Sequence, residues 1–416
     1  MAEIVKQLAE ISRFFGGNPD YVVAGGGNTS CKTDDTLWVK ASGFPLATIT
    51  EEGFAVLDRA KLAEISSKSY SRDPIVRESE IKDDLFRSSR YPEKGLRPSV
   101  ETSLHDAIDC TFVVHTHPTL VNGLLCSVNA EDKVQQLFGA EALYVPYTDP
   151  GHTLFKLVQQ RIEEYRQTHG RTPAIILLQN HGVFVAADTT EEIKALHDKV
   201  TTTIAQEIAD EPDLSELEPA SGLEKVLPAL RMILSQDSLK VLRYRRNQLV
   251  EHFAASAEAF KKASLPFTPD HIVYCKAHPL YIEADGEPEG VCDEIAKKAE
   301  AFRAEHGYSP KVVMIKGAGL VAAEETAKDA DTVLDVYEDV LKISALSENF
   351  GGPHFMSDAE IEFIDNWEVE NYRRKVGRSG AGAGVLANRV AVVTGGAQGF
   401  GGGIAEELAK AGANVV

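Results

Sequence analysis

The stretch Val113-Val114-His115-Thr116-His117-Pro118 is apolar enough for a strand, and residues two apart on a strand point to the same face. His115 and His117 are therefore spaced to hold one metal ion between two imidazoles, although two strand-end histidines facing solvent share the pattern. His181 stands at the turn between the apolar runs 174–178 and 183–186 and offers a third nitrogen. A histidine before a glycine, as His181 is before Gly182, also serves as an ordinary turn residue. Three histidines with an open fourth position characterise a catalytic metal site rather than a structural one, and no cysteine lies nearby in sequence to close it.

Glu101 sits in Pro98-Ser99-Val100-Glu101-Thr102-Ser103-Leu104-His105, one short helix before the His-x-His strand. A carboxylate beside a divalent cation can act as a general base, and a glutamate at a helix start is favoured by the dipole alone. The segment Ala24-Gly25-Gly26-Gly27-Asn28-Thr29-Ser30 supplies backbone N–H groups, an amide and two hydroxyls without bulky side chains, which suits an oxyanion such as phosphate. Lys40-Ala41-Ser42-Gly43 is a second small-residue turn able to complete that pocket. His105, on the helix after Glu101, is the further histidine nearest this set; His152, His197, His252 and His271 read as surface or core residues.

The elements that must position these groups follow from periodicity. Ile4, Leu8, Ile11 and Phe15 recur at helical spacing and Gly16-Gly17 supplies a stop. Short strands are expected at 21–23 and 37–40, with 24–30 a loop too glycine-rich for regular structure. Further strands are expected at 112–114, 143–145, 174–178 and 183–186. A capping box, Thr189-x-x-Glu192, opens a helix with Ile193, Leu196, Val200, Ile204 and Ile208 on one face. Acidic residues from Asp210 to Ser221-Gly222 form a linker, leaving a first α/β domain, 1–212, with a mostly antiparallel sheet.

The segment 213–375 resembles a faded copy. Ile175-Ile176-Leu177-Leu178-Gln179-Asn180-His181-Gly182 is matched by Val312-Val313-Met314-Ile315-Lys316-Gly317-Ala318-Gly319, and Val113–Pro118 by Val273-Tyr274-Cys275-Lys276-Ala277-His278-Pro279. In this alignment Lys276 and Ala318 replace His115 and His181, so the copy keeps only His278 and is expected to be a packing or assembly domain. Residues 376–416 begin with a glycine-rich linker and open a new strand, Val390-Ala391-Val392-Val393, that leads into Thr394-Gly395-Gly396-Ala397-Gln398-Gly399-Phe400-Gly401.

The 416 residues carry a net charge of −20, which disfavours nucleic acid as a partner. Five scattered cysteines without a C-x-x-C pair read as reduced thiols of a cytoplasmic protein. No apolar run approaches the roughly 20 residues of a membrane span, and no secretory leader is expected.

Taken in order, Gly-Asn-Thr-Ser at 27–30, Ser-Gly at 42–43, Pro-Ser-x-Glu at 98–101, His-x-His-Pro at 115–118 and Asn-His-Gly at 180–182 resemble the class II aldolase/adducin family over roughly residues 1–210. Val145-Pro146-Tyr147-Thr148 followed by Gly151 is also similar to it. The resemblance implies an aldolase-like sheet flanked by helices and Zn2+ held by His115, His117 and His181. It implies Glu101 as the catalytic residue, and a phosphate pocket of Gly27, Asn28, Ser42, Gly43 and Ser99. The pattern often has two serines before the glutamate, and Val100 takes the second place here. The implied reaction is reversible cleavage of a ketose 1-phosphate, such as L-rhamnulose or L-fuculose 1-phosphate, by a homo-oligomer, a tetramer by resemblance. Epimerase or dehydratase chemistry on a sugar phosphate and an adducin-like assembly role are the family's alternatives.

Thr394-Gly395-x-x-x-Gly399-x-Gly401 resembles the cofactor loop of short-chain dehydrogenases, which implies the start of a Rossmann domain with Gly395, Gly399 and Gly401 at the cofactor. The order of parts is similar to bifunctional aldolase/dehydrogenase proteins. The expectation is a chain truncated early in the dehydrogenase, with NAD(P) bound only by a complete domain.

Overall fold

The computed structural model describes residues 2–236, 238–283, 287–367 and 384–416. The expected glycine-rich linker, 378–384, lies outside the described residues except for Gly384. The chain clusters into two units, Met1–Glu211 with Ile343–Arg373, and Pro212–Lys342 with Arg374–Val416. Residues 343–367, which the sequence keeps with the second domain, thus belong spatially to the first.

In the first unit β1 (Asn28–Lys32), β2 (Thr36–Lys40), β3 (Phe54–Asp58), β4 (Phe112–Thr116), β5 (Leu143–Val145), β6 (Ile175–Leu178) and β7 (Gly182–Ala187) form one sheet in the order β3-β2-β1-β4-β7-β6-β5. Every pairing is antiparallel except that of β5 with β6. Alternation along β4 sends Phe112 and Val114 into one core and Val113 into another on the opposite face. Helices α1 (Ala2–Gly16), α2 (Arg59–Ser67), α3 (Pro74–Arg87), α4 (Thr102–Ala107), α5 (Thr119–Leu125), α6 (Ala130–Phe138), α7 (His152–His169) and α8 (Thr190–Ala205) cover the two faces. Leu8, Ile11 and Phe15 of α1 and Ile193, Val200 and Ile204 of α8 share the first core, as their spacing predicts.

Two local expectations change. Residues 21–23 form turn and coil rather than a strand, and Asn28–Ser30 belong to β1 instead of a loop. Pairing accounts for the second change: Asn28 lies opposite His115 and Thr29 opposite Val114, so a full ladder of backbone bonds outweighs the polar composition.

In the second unit β8 (Val241–Arg245), β9 (Leu280–Ile282), β10 (Val312–Ile315) and β11 (Gly319–Glu324) are ordered β8-β11-β10-β9. This repeats β4-β7-β6-β5, including the single parallel pair. The register agrees residue by residue: Leu143 faces Ile176 as Leu280 faces Val313, and Leu178 faces Gly182 as Ile315 faces Gly319. Phe184 pairs with His115 and Val321 with Tyr244. The copy of the His-x-His strand is therefore β8, not residues 273–279. Pro269–Cys275 is a helix with Lys276 at φ 65, because proline and the preceding threonine start a helix there. Tyr244, Arg246 and Ala318, rather than Lys276, His278 and Ala318, occupy the positions of His115, His117 and His181.

At the C-terminal end β12 (Val390–Ala391), the helix Gly399–Lys410 and β13 (Asn414–Val415) make a strand-helix-strand unit whose strands pair in parallel. Gly399 is the helix's first residue, and Gly401 packs on the Gly395 carbonyl so closely that a side chain there has no room. Among the described residues no helix is long and apolar enough to cross a membrane.

One buried group in the first core has a cost. His197 of α8 is 1% exposed and lies 4.3 Å from the Phe15 ring; neither ring nitrogen has a hydrogen-bond partner among the described residues. Burial pushes its pKa down to about 3. The unfolded chain takes up this proton near the ordinary histidine pKa of about 6.5 whereas the native chain does not, so stability falls as pH drops from about 6.5 towards 3. His197→Phe is expected to flatten that dependence by up to about 2 kcal/mol between pH 7 and pH 5, read from urea midpoints at the two values; an unchanged slope removes His197 from the acid response.

Candidate metal and catalytic site

β4 lies inside the sheet, so both its neighbours help to build the site. β7 places Phe184 opposite His115, and the two rings stack at 4.0 Å between centroids. His115 is fully buried. Its Nδ1 donates to the Val183 carbonyl at 3.0 Å, which fixes the tautomer and leaves the Nε2 lone pair pointing away from the strand. That atom lies 2.9 Å from His117 Nε2 and 3.3 Å from His181 Nε2. Gly182 makes room for the convergence, because a Cβ there meets the Thr116 carbonyl at 2.5 Å and the His117 ring at 2.7 Å.

Glu101 stands at the N-cap position of α4, with its side chain turned from the helix end towards the histidines. Its Oε1 is 3.5 Å from His115 Nε2 and 3.4 Å from His181 Nε2, with no hydrogen-bond donor among the described residues. Burial is the largest influence on this carboxyl and works to raise its pKa, but His115, His181 and the Asn28 amide outweigh it and bring it to about 2. Burial likewise drives the His115 pKa well down. A carboxylate oxygen and three imidazole nitrogens thus converge on one point, a donor set of the kind that suits a cation.

The residues fit a divalent metal. Three imidazole ligands at about 2.0–2.1 Å in a tetrahedron stand roughly 3.3 Å apart, close to the His115–His181 spacing, and all three ligand atoms lie within 4.8 Å of one another. His115 also shows the backbone-anchored second nitrogen expected of a ligating histidine.

Behind Glu101 runs a buried relay. Ser30 Oγ meets His105 Nδ1 at 2.7 Å, His105 Nε2 bonds Asn28 Oδ1, and Asn28 Nδ2 donates to Glu101 Oε2 at 2.5 Å. With the Asn28 oxygen accepting, His105 is the neutral Nε2–H tautomer; burial holds its pKa down to about 3. Asn28 is therefore engaged with the catalytic candidate and not simply open to a phosphate. Lys32 caps the far end of α4 by donating to the His105 and Ile108 carbonyls, and burial lowers its pKa to about 8. Sequence reasoning placed His105 nearest the site but assigned it no role. Its helical distance of four residues from Glu101 was the available signal.

The remaining predicted residues gather around the same strand ends. Gly27, at φ 73, lies so close to the His115 carbonyl that a Cβ there meets the oxygen at 2.6 Å. The Ser42 amide donates to the Arg97 carbonyl at 2.8 Å, and Ala41 bridges Pro98, so the Ser42-Gly43 turn lies beside Ser99. The Ser99 hydroxyl accepts from the Glu101 amide at 3.2 Å. Gly395, Gly399 and Gly401 lie together in the C-terminal unit, where Gly401 touches Gly395.

Comparison with known proteins follows the same division. The model of the class II aldolase and adducin N-terminal domain matches residues 6–207, and that of the class II aldolase second domain matches 221–308. An uncharacterized oxidoreductase, YuxG of Bacillus subtilis (strain 168), is 25% identical over 456 aligned residues that cover 99% of this chain and 64% of that protein. The chain thus spans less than two thirds of that relative's length. Among solved structures, the N-terminal class II aldolase domain of a conserved protein from Thermoplasma acidophilum is 27% identical, with TM-score 0.42, covering 49% of this chain and 92% of its own. L-fuculose-1-phosphate aldolase from Thermus thermophilus is 15% identical, with TM-score 0.33, covering 49% and 94%. The chain accordingly carries a class II aldolase and adducin N-terminal domain at 6–207, followed by the second domain of class II aldolases at 221–308.

Proposed function

We propose that this chain is a zinc-dependent class II aldolase that reversibly cleaves a ketose 1-phosphate, such as L-rhamnulose or L-fuculose 1-phosphate, into dihydroxyacetone phosphate and an aldehyde. The observation that carries the reading is the Glu101 Oε1, buried without a hydrogen-bond donor among the described residues, 3.5 and 3.4 Å from two imidazoles of a three-histidine cluster. His115, His117 and His181 hold the ion. When bound, it supplies a Lewis acid for the negative charge that cleavage leaves on the ketose half. Glu101 moves the proton at the carbon beside the carbonyl: in condensation the carboxylate takes it, and in cleavage it returns to that carbon the proton released by the hydroxyl that becomes the aldehyde oxygen. The Asn28–His105–Ser30 relay orients the carboxylate for that transfer. Gly27, the Ser42-Gly43 turn and Ser99 offer backbone and hydroxyl groups to the phosphate, turning remote binding energy into positioning.

The C-terminal strand-helix-strand unit supports a second activity in a longer protein, NAD(P)-dependent oxidation. Its support is the close approach of Gly401 to Gly395 at a helix start after a strand, together with the oxidoreductase name of the relative.

Chelator-sensitive release of dihydroxyacetone phosphate from a panel of ketose 1-phosphates is the expected result. No release from zinc-loaded protein redirects the assignment to epimerase or dehydratase chemistry. Glu101→Gln is expected to retain zinc while lowering kcat by about 10²–10⁴-fold; full turnover places the base elsewhere. His181→Ala is expected to lower bound zinc from about one per chain to near zero by elemental analysis, and unchanged stoichiometry removes this histidine from the ligand set.

A further inference from the structure

The turn that presents His181 needs a residue in the left-handed region. Asn180 occupies it at φ 53, and the corresponding position of the second unit is Gly317 at φ 65. Glycine is the ordinary solution at such a position, because a Cβ makes the conformation costly. The first unit instead uses an asparagine that is 1% exposed, and its amide is engaged at both ends. Nδ2 donates to the His354 carbonyl at 2.8 Å, and Oδ1 accepts from His354 Nδ1 at 3.0 Å.

His354 is itself placed by backbone bonds. Its amide donates to the Cys126 carbonyl at 2.8 Å, the Val128 amide donates to Gly352, and Asn129 donates to Phe350; Pro353 and Ser127 form an antiparallel bridge. The Asn180 amide donates to the Leu125 carbonyl at 3.3 Å. The 350–354 segment, the C-terminal end of α5 and the His181 turn are thus joined in one bonded patch. These late residues lie outside both matched domains, 6–207 and 221–308.

We propose that residues 350–354 are a positioning element for the third metal ligand: His354 clasps the Asn180 amide, and the clasp fixes the turn from which His181 reaches the ion. The inference rests on the metal reading of the three histidines. Groups that orient a ligand from behind change metal affinity by about 10–100-fold when removed. A turn needing only its backbone shape keeps full affinity with glycine, as the second unit's Gly317 keeps the same fold without a ligand to aim.

The test is zinc affinity of the full chain, measured by competition with a chromogenic chelator, together with the visible absorption of the Co2+-loaded protein. Asn180→Gly preserves the backbone and removes both bonds, so it is expected to weaken zinc about 10–100-fold and to change the cobalt bands. His354→Ala, which leaves the carbonyl bond, is expected to weaken it less. His354→Asn, which returns a donor near Nδ1, is expected to recover part of that loss. The double variant Asn180→Gly/His354→Ala is expected to match Asn180→Gly alone. Wild-type zinc affinity and cobalt spectrum in Asn180→Gly overturn the positioning role while the metal site stands. Multiplicative losses in the double variant overturn the clasp, because they mean that the residues act separately. A wild-type chain that binds no metal overturns the site reading and this inference together.

Discussion

Everything around the site answers one electrostatic problem. Three imidazole nitrogens and a carboxylate oxygen are held within contact distance of one another, with His115 and Glu101 buried, where polar groups are costly unless they are matched. The Val183 carbonyl takes the outward nitrogen of His115, so the inward lone pair cannot be relieved by exchanging tautomers. The structure maintains this arrangement because backbone ladders fix β4 on both sides.

Glu101 shows how the same constraint spreads outward. One of its oxygens faces the histidines and the other is held by Asn28, which is held in turn by His105 and Ser30. β1 and α4 contribute alternate members of that relay. Their relative placement depends on the buried Lys32, whose ammonium reaches the carbonyls ending α4. A buried lysine with two acceptors is well suited to this task, because a shift of α4 leaves the charge without partners.

The second unit is a natural control for which features make a fold and which make a site. It retains the strand order, the parallel pair and the registers of β4–β7, yet carries Tyr244, Arg246 and Ala318 where the imidazoles stand. Tyr244 uses its hydroxyl on the Ala318 carbonyl at 2.5 Å, so a protein hydrogen bond fills the place where the first unit gathers imidazoles. Backbone pairing and apolar alternation survive the exchange because neither depends on the side chains at the strand end. The three-imidazole cluster does not survive it.

Much of this was legible in the chain itself. The His-x-His spacing, the histidine before Gly182 and the glutamate before α4 are local patterns whose chemistry follows from residue type. The helices of Leu8 and Val200 follow from period. Sequence alone misplaced the copied strand, because His278-Pro279 imitates His117-Pro118 while strand identity is decided by pairing with β11. It also kept 343–367 with the second domain, and it placed His105 nearest the site without showing its bond to Asn28 or Asn28's bond to Glu101. These were matters of long-range contact: β1 meets β4 and α4 only after the sheet has formed, and His354 meets Asn180 across 174 residues of chain. The sequence by itself determined which imidazoles and which carboxylate stand at the strand and helix ends. Tertiary structure decided how they face one another, because tautomer, burial and the direction of a lone pair are set by neighbours distant along the chain.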